Sequence, residues 1–372
     1  MTAHRPAEPN LRVLVCTTVH HPSDARILHR QIAAMLRAGW SVTYVAPWSG
    51  TEAVPAGVTA VAVPRARGSN RLSAARSARR VLRDHRADHD LFLLHDLDLL
   101  PVAFSVRSKP PVVWDVHEDT AAALSDRAWV PPFLRPLLRG VVHLVERLAE
   151  HRWTLLLAEE SYQERFRRCH PVVPNLPWAR PDRSPRREPP FTVYVGRISE
   201  SRGLGTMLET GRLLDGEVEV KLVGPADGNI EARLRAAVAD GAVEWLGRLP
   251  NDLALREVAG AVAGLSLLRD EPNFRGSMPT KLVEYAAMGV PAITTPLAEA
   301  VSLIERHPFG VVVPFDDAAT VAAQIRELAD HADRWERFST AGFQAVQDGL
   351  SWDRQSEDFL MALSQAATGG QR

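Results

Sequence analysis

Short, continuously apolar runs alternate with longer amphipathic stretches along the chain. In the first half the apolar runs predict strands at residues 13–17, 42–46, 58–63, 91–94, 112–114 and 153–157. Residues 25–38 repeat apolar positions at helical spacing and stop before Gly39, which predicts a helix. Strands that are apolar along their whole length are typical of a parallel sheet covered on both faces. The first half therefore predicts a doubly wound α/β domain.

The same alternation begins again after a proline-rich break. Residues 175–190 contain five prolines and show no periodic pattern, which predicts a loop or linker. Further strands are predicted at 191–195, 217–223, 243–246, 263–267, 292–294 and 311–313, with helices at 203–214, 229–239, 253–259 and 279–288.

We thus expect two Rossmann-like domains, spanning residues 1–178 and 191–351 and joined by a linker at 179–190. A C-terminal helix at about 352–368 is expected to pack back onto the first domain. Ligands of open α/β sheets bind outside the carboxyl ends of the strands, so a cleft between the domains is the expected site.

Composition excludes several classes of protein. The 372 residues are 45% hydrophobic and 24% charged, as in folded globular proteins. No apolar run approaches the ~18 residues that span a bilayer, and the apolar run that follows the polar first ten residues is too short for a signal peptide. Two cysteines, Cys16 and Cys169, allow neither a disulfide framework nor a Cys-based zinc site. We therefore expect a soluble, cytoplasmic protein.

Charge separates the two halves of the chain. Residues 1–180 hold 24 Lys and Arg against 17 Asp and Glu, a net of +7, and the remainder nets −8, which together give the overall −1. Eight arginines lie in the segment that begins at Arg65 and ends at Arg86. They suit an anionic membrane surface or a phosphorylated acceptor, or else form a solvated helix face. The segment from Pro132 to Glu150 is either membrane-associated or a core-packing helix. Neither segment leads us to predict a nucleic-acid partner.

The second domain opens with a possible anion site. The strand at 191–195 runs into Gly196 and Arg197, and Arg202 and Gly203 stand at the start of the next helix. This arrangement lacks the G-x-G-x-x-G fingerprint of dinucleotide enzymes, so a dehydrogenase is not expected. Backbone amides at a helix start, with two arginines beside them, favour a diphosphate. The alternative is two surface arginines beside a turn.

A second segment, residues 275–291, combines a glycine-containing loop with a helix start. Pro279 suits the first turn of a helix, and Lys281 and Glu284 then share one face at i, i+3 spacing. Together they offer a cation for phosphate and a carboxylate for ribose hydroxyls. A surface ion pair is the alternative for the isolated pair.

Polar clusters also follow two strands of the first half. Asp96 and Asp98 are arranged as a D-x-D metal clamp, although we favour Asp98 as the cap of a helix towards residue 104. His117 follows the strand at 112–114, which delivers it to the expected site. His20 and His21 are adjacent rather than at metal-ligand spacing, and we assign no metal to them.

Taken together, these motifs resemble the retaining glycosyltransferases of family 4, which have the GT-B fold of two Rossmann-like domains. The resemblance extends over nearly the whole chain. It rests on VHHPSDARILHRQIAAMLRAGWSVTYVA, HDLDLLP, VVWDVHE and VPN in the first half, and on VGRISESRGL, LVGP, WLGRLP and MPTKLVEYAAMGVPAITT in the second. The last string and VGRI are the most specific of these.

The resemblance implies roles for the second-domain residues. Arg197 and Arg202 match the pair that holds the donor diphosphate, although the second is commonly lysine in the family. Glu284 matches the carboxylate that binds the donor ribose, while Lys281 lies where the phosphates enter. Also on the donor side are Gly196, Ser277, Met278, Pro279 and Thr280. The family often carries a second glutamate eight residues before the ribose-binding one; that position is Gly276 here, which leaves the contacts to the donor sugar open.

In the first domain, His117 matches the histidine that faces the transferred sugar. The loop of residues 19–26 lies on the acceptor side and includes His20, His21, Asp24 and Arg26.

The implied reaction moves a hexose-type sugar from a UDP- or GDP-sugar to an acceptor hydroxyl with retention, without cofactor or metal. Sugar, lipid-linked and small-molecule acceptors all fit, in polysaccharide, glycolipid or natural-product biosynthesis, with possible peripheral contact to the inner face of the plasma membrane. Three alternatives stay open: a metal-dependent GT-A-like transferase using Asp96 and Asp98, a nucleotide-sugar epimerase, and a catalytically silent nucleotide-sugar-binding protein.

Overall fold

The computed structural model describes residues 10–50, 52–117, 135–272 and 274–369. The chain forms two compact units. The first comprises Met1–Asn175 together with Gln355–Arg372, and the second comprises Leu176–Arg354. Within the described residues no helix is both long enough and apolar enough to cross a membrane.

The first unit is built on a six-stranded parallel sheet with strand order β3-β2-β1-β4-β5-β6. Every residue of β4 and β5 is buried, because helices cover both faces of the sheet. The strands are β1 (Arg12–Cys16), β2 (Ser41–Ala46), β3 (Val58–Ala62), β4 (Leu91–Leu94), β5 (Val112–Val116) and β6 (Thr154–Leu157).

The helix that follows β1 begins with a π-helical stretch, Ile27–Ile32, which continues directly into α1 (Ala33–Arg37). In this stretch the Gln31 N–H donates to the Arg26 carbonyl, five residues back, at 3.0 Å. The other helices of the first unit are α2 (Arg71–Asp84), α3 (Leu99–Phe104), α4 (Arg135–Arg152) and, from the C-terminal end of the chain, α12 (Trp352–Ala367), whose first three residues belong to the second unit. Residues 132–134 of the predicted helical segment lie outside the described residues.

The second unit repeats the first sheet's connectivity. Its order, β12-β11-β10-β7-β8-β9, is the same 3-2-1-4-5-6 pattern counted from β7, and every pairing in it is parallel. The strands are β7 (Phe191–Val195), β8 (Glu219–Val223), β9 (Glu244–Gly247), β10 (Ala263–Ser266), β11 (Ala292–Thr294) and β12 (Gly310–Val312). Its helices are α5 (Leu204–Leu214), α6 (Gly228–Ala239), α7 (Asn251–Val258), α8 (Thr280–Ala287), α9 (Ala298–Arg306), α10 (Ala318–Asp330) and α11 (Ala332–Gln347).

The predicted fold class is confirmed. All twelve predicted strands are present, and none of their ends is displaced by more than two residues. In both sheets the strand order reverses at one place, between β1 and β4 in the first and between β7 and β10 in the second. Each sheet therefore has a switch point, where ligands of this fold class bind.

Candidate functional site

At the carboxyl ends of β4 and β5, polar side chains line a cavity of about 80 Å³ in the first unit. Its lining includes His20, His95, Asp96, Asp115 and His117. The structure thus brings the predicted His117 next to the predicted His20, although 97 positions separate them in sequence. The cavity lies at the switch point of the first sheet, where the fold class places its ligands.

Asp115 is the centre of this cluster. Its carboxylate is fully buried and accepts two hydrogen bonds from the Arg26 guanidinium, at 2.7 and 2.6 Å, and one from the Gln31 amide at 3.0 Å. His95 Nδ1 and His117 Nδ1 lie 3.2 and 3.4 Å from the same carboxylate. Burial opposes ionisation, but the charge of Arg26 and these hydrogen bonds hold the pKa of Asp115 well below its usual range. Asp115 is therefore a buried anion at neutral pH.

Arg26 is only 3% exposed. Besides its two bonds to Asp115, its guanidinium donates to the Val173 carbonyl at 2.9 Å. We predicted Arg26 on the acceptor side, but the structure places its charged group in the interior. Its guanidinium positions the Asp115 carboxylate, and Asp115 in turn lies against His95 and His117.

His20 and His117 face each other through their Nε2 atoms, which are 2.9 Å apart. Two ring nitrogens at this distance share a single hydrogen, so one ring donates and the other accepts. Burial alone would lower the pKa of His117, but the hydrogen bond and charge of Asp115 raise it above its usual value. Asp24 Oδ2 lies 3.8 Å from His20 Nδ1, Asp96 Oδ1 lies 3.5 Å from His20 Nε2, and Asp115 lies beside His117, so three carboxylates surround the two rings. This arrangement can hold a proton, or pass one to a hydroxyl group in the cavity.

The two aspartates of the D-x-D pattern have separate tasks. Asp96 accepts hydrogen bonds from the hydroxyls of Thr17 and Thr18 and from the Thr18 and Val19 amides, which fixes the loop after β1. Asp98 stands at the N-cap of α3, as predicted, but its side chain makes no capping hydrogen bond. It pairs instead with Arg71. The capping role predicted for the Asp98 side chain is therefore wrong.

Ligand atoms of His95, Asp115 and His117 lie within 4.8 Å of one another, which is close enough to hold a metal ion. However, both carboxylate oxygens of Asp115 are bound by the Arg26 guanidinium, and that charge repels a cation. We assign no metal to this group. His21 lies outside it: its Nδ1 accepts from the Ser23 amide at 3.1 Å.

In the second unit, the carboxyl end of β7 is built around Gly196. This glycine has φ +139°, and a Cβ on it would lie 2.7 Å from Lys281 Cε. The Lys281 ammonium lies 5.7 Å from the centre of the Tyr194 ring, whose hydroxyl donates to the Arg197 carbonyl at 2.6 Å. The absence of a side chain at Gly196 thus makes room for the lysine beside the strand end.

Lys281 lies on α8, three residues before Glu284, and both side chains are half-buried. Burial, and then the charge of Arg202, lower the pKa of Lys281 to about 8, although Glu284 opposes the shift. Arg202 itself lies 5.5 Å from the centre of the Phe274 ring. Lys281 and Arg202 are thus close enough to repel each other, and a bound phosphate anion would reduce that repulsion.

Arg197 follows Gly196, but its exposed side chain points to Asp227, with which it pairs at 2.7 Å. Gly203 precedes α5 with φ +84°, and a Cβ there would lie 2.3 Å from the Leu267 carbonyl oxygen. The start of α5 therefore packs closely against the chain after β10, which no residue with a side chain would permit.

The loop before α8 has a defined conformation. The Ser277 amide donates to the Phe274 carbonyl at 3.2 Å, and the Thr280 amide to the Met278 carbonyl at 2.8 Å. The helix begins at Thr280, one residue later than predicted, so Pro279 stands just before its first residue. Ser277, Met278 and Thr280 are half-buried.

Tyr285 fixes α8 on the sheet. Its hydroxyl donates to the Leu265 carbonyl at 2.9 Å. Its ring packs against Gly264, where a Cβ would lie 2.3 Å from Tyr285 Cδ2. Lys281 on the same helix is thereby held beside Gly196 at the end of β7.

No individual role was predicted for Asp115, Gln31, Tyr194 or Tyr285. Asp115 had a signal, because a carboxylate within the buried run VVWDV requires a partner. Its partner Arg26 lies 89 positions earlier, and no local pattern indicates that pairing.

Comparison with known proteins agrees with the geometry. Residues 189–331 match the family model Glycosyl transferases group 1. Over 151 residues the chain is 30% identical to the amylovoran biosynthesis glycosyltransferase AmsK of Erwinia amylovora, and this segment covers 38% of the chain and 36% of AmsK. The chain thus spans about a third of the length of this relative.

Solved structures match over nearly the whole chain. Sucrose-phosphate synthase from Thermosynechococcus elongatus superposes with a TM-score of 0.70 at 15% identity, covering 96% of this chain and 99% of its own. Anabaena Alr3699/HepE in complex with UDP-glucose gives 0.68 at 13% identity, covering 95% and 100%. At these identities the likeness concerns the fold. The chain therefore has the GT-B fold, and its residues 189–331 match the family model Glycosyl transferases group 1.

Proposed function

We propose that the protein is a retaining glycosyltransferase of family 4 that transfers a hexose-type sugar from a UDP- or GDP-sugar to an acceptor hydroxyl in polysaccharide biosynthesis. The observation that carries the proposal is the cationic group at the end of β7, where Lys281 packs over Gly196 and Arg202 adds a second charge. The match of residues 189–331 and the similarity to AmsK, a polysaccharide glycosyltransferase, support it.

In this proposal the second unit holds the donor. Lys281 and Arg202 bind the diphosphate, Glu284 accepts hydrogen bonds from the ribose hydroxyls, and the half-buried loop at 277–280 lies along the phosphates. As the glycosidic bond breaks, negative charge develops on the leaving diphosphate, and fixed cations stabilise that charge without a metal ion. Arg197 joins them once it exchanges Asp227 for phosphate, since that ion pair is exposed.

The first unit serves the acceptor and the transferred sugar. His117 faces the sugar, and the shared hydrogen between His20 and His117 gives the site a group that can bind or relay a hydroxyl proton. We also propose peripheral contact with an anionic membrane, through the arginines of α2 or through α4. On α2, Arg76 and Arg80 are exposed and, among the described residues, have no carboxylate partner.

Thermal unfolding with UDP, GDP, dTDP and NAD, each with and without Mn²⁺, tests the donor proposal. A ligand at 100 times its Kd stabilises by about 2.7 kcal/mol, which is measurable. We expect a metal-independent shift with UDP or GDP. A shift that requires Mn²⁺ would favour the GT-A-like alternative, and a shift with NAD alone would contradict the proposal.

Product analysis with the donor identified in this way tests the reaction. Transfer to an acceptor with retained anomeric configuration is expected. A changed sugar nucleotide without any acceptor would identify an epimerase, and tight binding without turnover would identify a binding protein, for which Gly276 is the relevant departure from the family.

Lys281 predicts a pH dependence of donor binding. Its pKa of about 8 means that the ammonium loses its proton above that pH, and the charge that attracts the diphosphate is lost with it. UDP affinity is expected to fall about tenfold between about pH 7 and pH 9, following the charged fraction. Calorimetry over this range measures the effect.

Lys281→Arg is the matched control, because a guanidinium stays charged throughout the range. Its UDP affinity should be nearly independent of pH. An equal fall in both proteins would show that another group titrates.

A further inference from the structure

The first unit contains a second cavity, of about 480 Å³. Its lining includes Lys109, Val112, His151, Arg152, Thr154 and Arg168. Val112 and Thr154 are the first residues of β5 and β6, so the cavity lies at the amino ends of these strands. His117 follows the carboxyl end of β5, at the opposite edge of the sheet. The proposed transfer reaction does not use this cavity.

Its polar lining is basic. Lys109, Arg152 and Arg168 face it, along with His151, and no carboxylate is among the lining residues. Within the part of the chain that the structure describes, none of the three permanently basic side chains forms an ion pair with Asp or Glu. Burial, followed by the charge of Arg152, lowers the pKa of Lys109. Like charges that face one cavity without a counterion create a site for an anion.

The helix that supplies His151 and Arg152 has an apolar outer stripe. Leu137, Val141, Leu144 and Leu148 of α4 are 64, 49, 59 and 48% exposed. Their spacing of four, three and four residues places them on one helix face. Val142 and Ala149 of the same helix are buried, so α4 has one apolar face inside the unit and another in solvent.

The stripe lies on the same side of α4 as two residues of the cavity lining. At 100° per residue, His151 and Arg152 lie on the same side of α4 as Leu144 and Leu148, one turn further along. A surface that combines exposed apolar side chains with adjacent uncompensated cations matches the boundary between anionic headgroups and acyl chains. A free phosphate would satisfy the cations alone and leave the stripe in water.

From this geometry we propose that the cavity binds the phosphate of an anionic phospholipid headgroup, while the α4 stripe contacts the acyl boundary. Lys109, Arg152 and Arg168 hold the phosphate. The inference deepens the membrane contact proposed above by choosing α4 over α2 and by naming the ligand and its residues. It does not depend on the transfer reaction.

Co-sedimentation with vesicles tests the proposal. We expect the full chain to bind vesicles of phosphatidylglycerol and phosphatidylcholine but not vesicles of phosphatidylcholine alone. The variant that combines K109Q, R152Q and R168Q should bind roughly 100-fold more weakly, as expected for three lost charges near anionic lipid. L144S with L148S, which keeps every charge, should also weaken binding.

The matched control removes three charges elsewhere in the first unit. R76Q, R80Q and R83Q lie on exposed positions of α2, and this combination should change binding by less than about threefold. Equal losses in the two triple variants would overturn the cavity site and leave a diffuse electrostatic contact. No binding of the unchanged protein to anionic vesicles would overturn both the lipid assignment and the membrane contact, without bearing on glycosyl transfer.

Inorganic phosphate distinguishes the source of the anion. Titration followed by calorimetry should show binding far weaker than vesicle binding. If phosphate binds through the three cations while anionic vesicles do not bind, the ligand is a soluble phosphate and the lipid assignment is overturned.

Discussion

Replacing Asp115 by asparagine is expected to lower the free energy of unfolding by about 3–5 kcal/mol, the usual cost of removing one partner from a buried ion pair. Arg26 would keep its charge at 3% exposure, lose the opposite charge of the carboxylate and face an amide NH₂ in place of one of its two acceptor oxygens. His95 and His117 would lose the anion beside their Nδ1 atoms. Urea unfolding of the full chain, followed by fluorescence and circular dichroism, measures the change.

The chain contains a matched surface pair, Arg12 and Asp90, which has the same residue types and two side-chain bonds at 3.3 and 2.9 Å. Its side chains are 52 and 34% exposed, so Asp90→Asn should cost only about 0.2–1 kcal/mol. Similar losses of unfolding free energy in Asp115→Asn and Asp90→Asn would show that burial does not strengthen the contribution of the Asp115 pair. Arg26→Met combined with Asp115→Asn should recover part of the loss, because no buried charge remains unpaired.

The buried pair of Arg26 and Asp115 also predicts how the stability of the protein responds to acid. The folded-state pKa of Asp115 is depressed, so the unfolded chain takes up its proton first as the pH falls. The stabilisation by Asp115 is complete above its unfolded pKa of about 3.9 and declines below it. In the Asp115→Asn variant this part of the acid sensitivity should be absent.

Alanine at Arg197 or at Arg202 is expected to lower kcat by about 100- to 1000-fold, the usual effect of removing one group that stabilises a developing anion. The proposed reaction places negative charge on the leaving diphosphate, and these arginines are the groups proposed to meet it. Turnover measured at saturating donor separates this effect from weaker binding. A loss below about threefold would remove the residue from the proposed mechanism.

Two nearby variants serve as controls. Arg233→Ala removes an exposed arginine that pairs with Glu200, and it should leave kcat almost unchanged. Asp227→Asn releases Arg197 from its ion pair, so donor binding should be equal or tighter. Weaker donor binding in Asp227→Asn would indicate that the ion pair positions Arg197 rather than competing with phosphate.

Most strands were predictable because they are apolar and buried on both faces, although the edge strand β3 is partly exposed. A run such as LFLL at β4 has no polar residue that would allow another placement, and prolines mark the break between the two halves. Helices were less complete in the prediction: α9, α10 and α11 were not assigned. Of these, α10 has a local start signal that the prediction missed, because the Asp317 side chain at its N-cap accepts a hydrogen bond from the Thr320 amide at 2.9 Å.

The site was predictable where a motif is local. Gly196, Lys281 and Glu284 lie in two short strings, and the structure places Lys281 over Gly196. Contacts between distant segments were not predictable. Arg26 belongs to a loop that was expected to face an acceptor, yet its guanidinium pairs with Asp115. Asp98 pairs with Arg71 instead of capping its helix.

The π-helical stretch at Ile27–Ile32 has a consequence for comparing this chain with its relatives. A π turn accommodates one residue more than an α turn, so it can arise by a single-residue insertion into an ordinary helix. Each residue of a helix turns the chain by about 100°, and the insertion therefore rotates everything before it relative to α1. Deleting one residue here would restore an α-helix but swing Arg26 away from Asp115. Sequence alignments should accordingly show a one-residue gap at this place in any relative whose helix here is α-helical throughout.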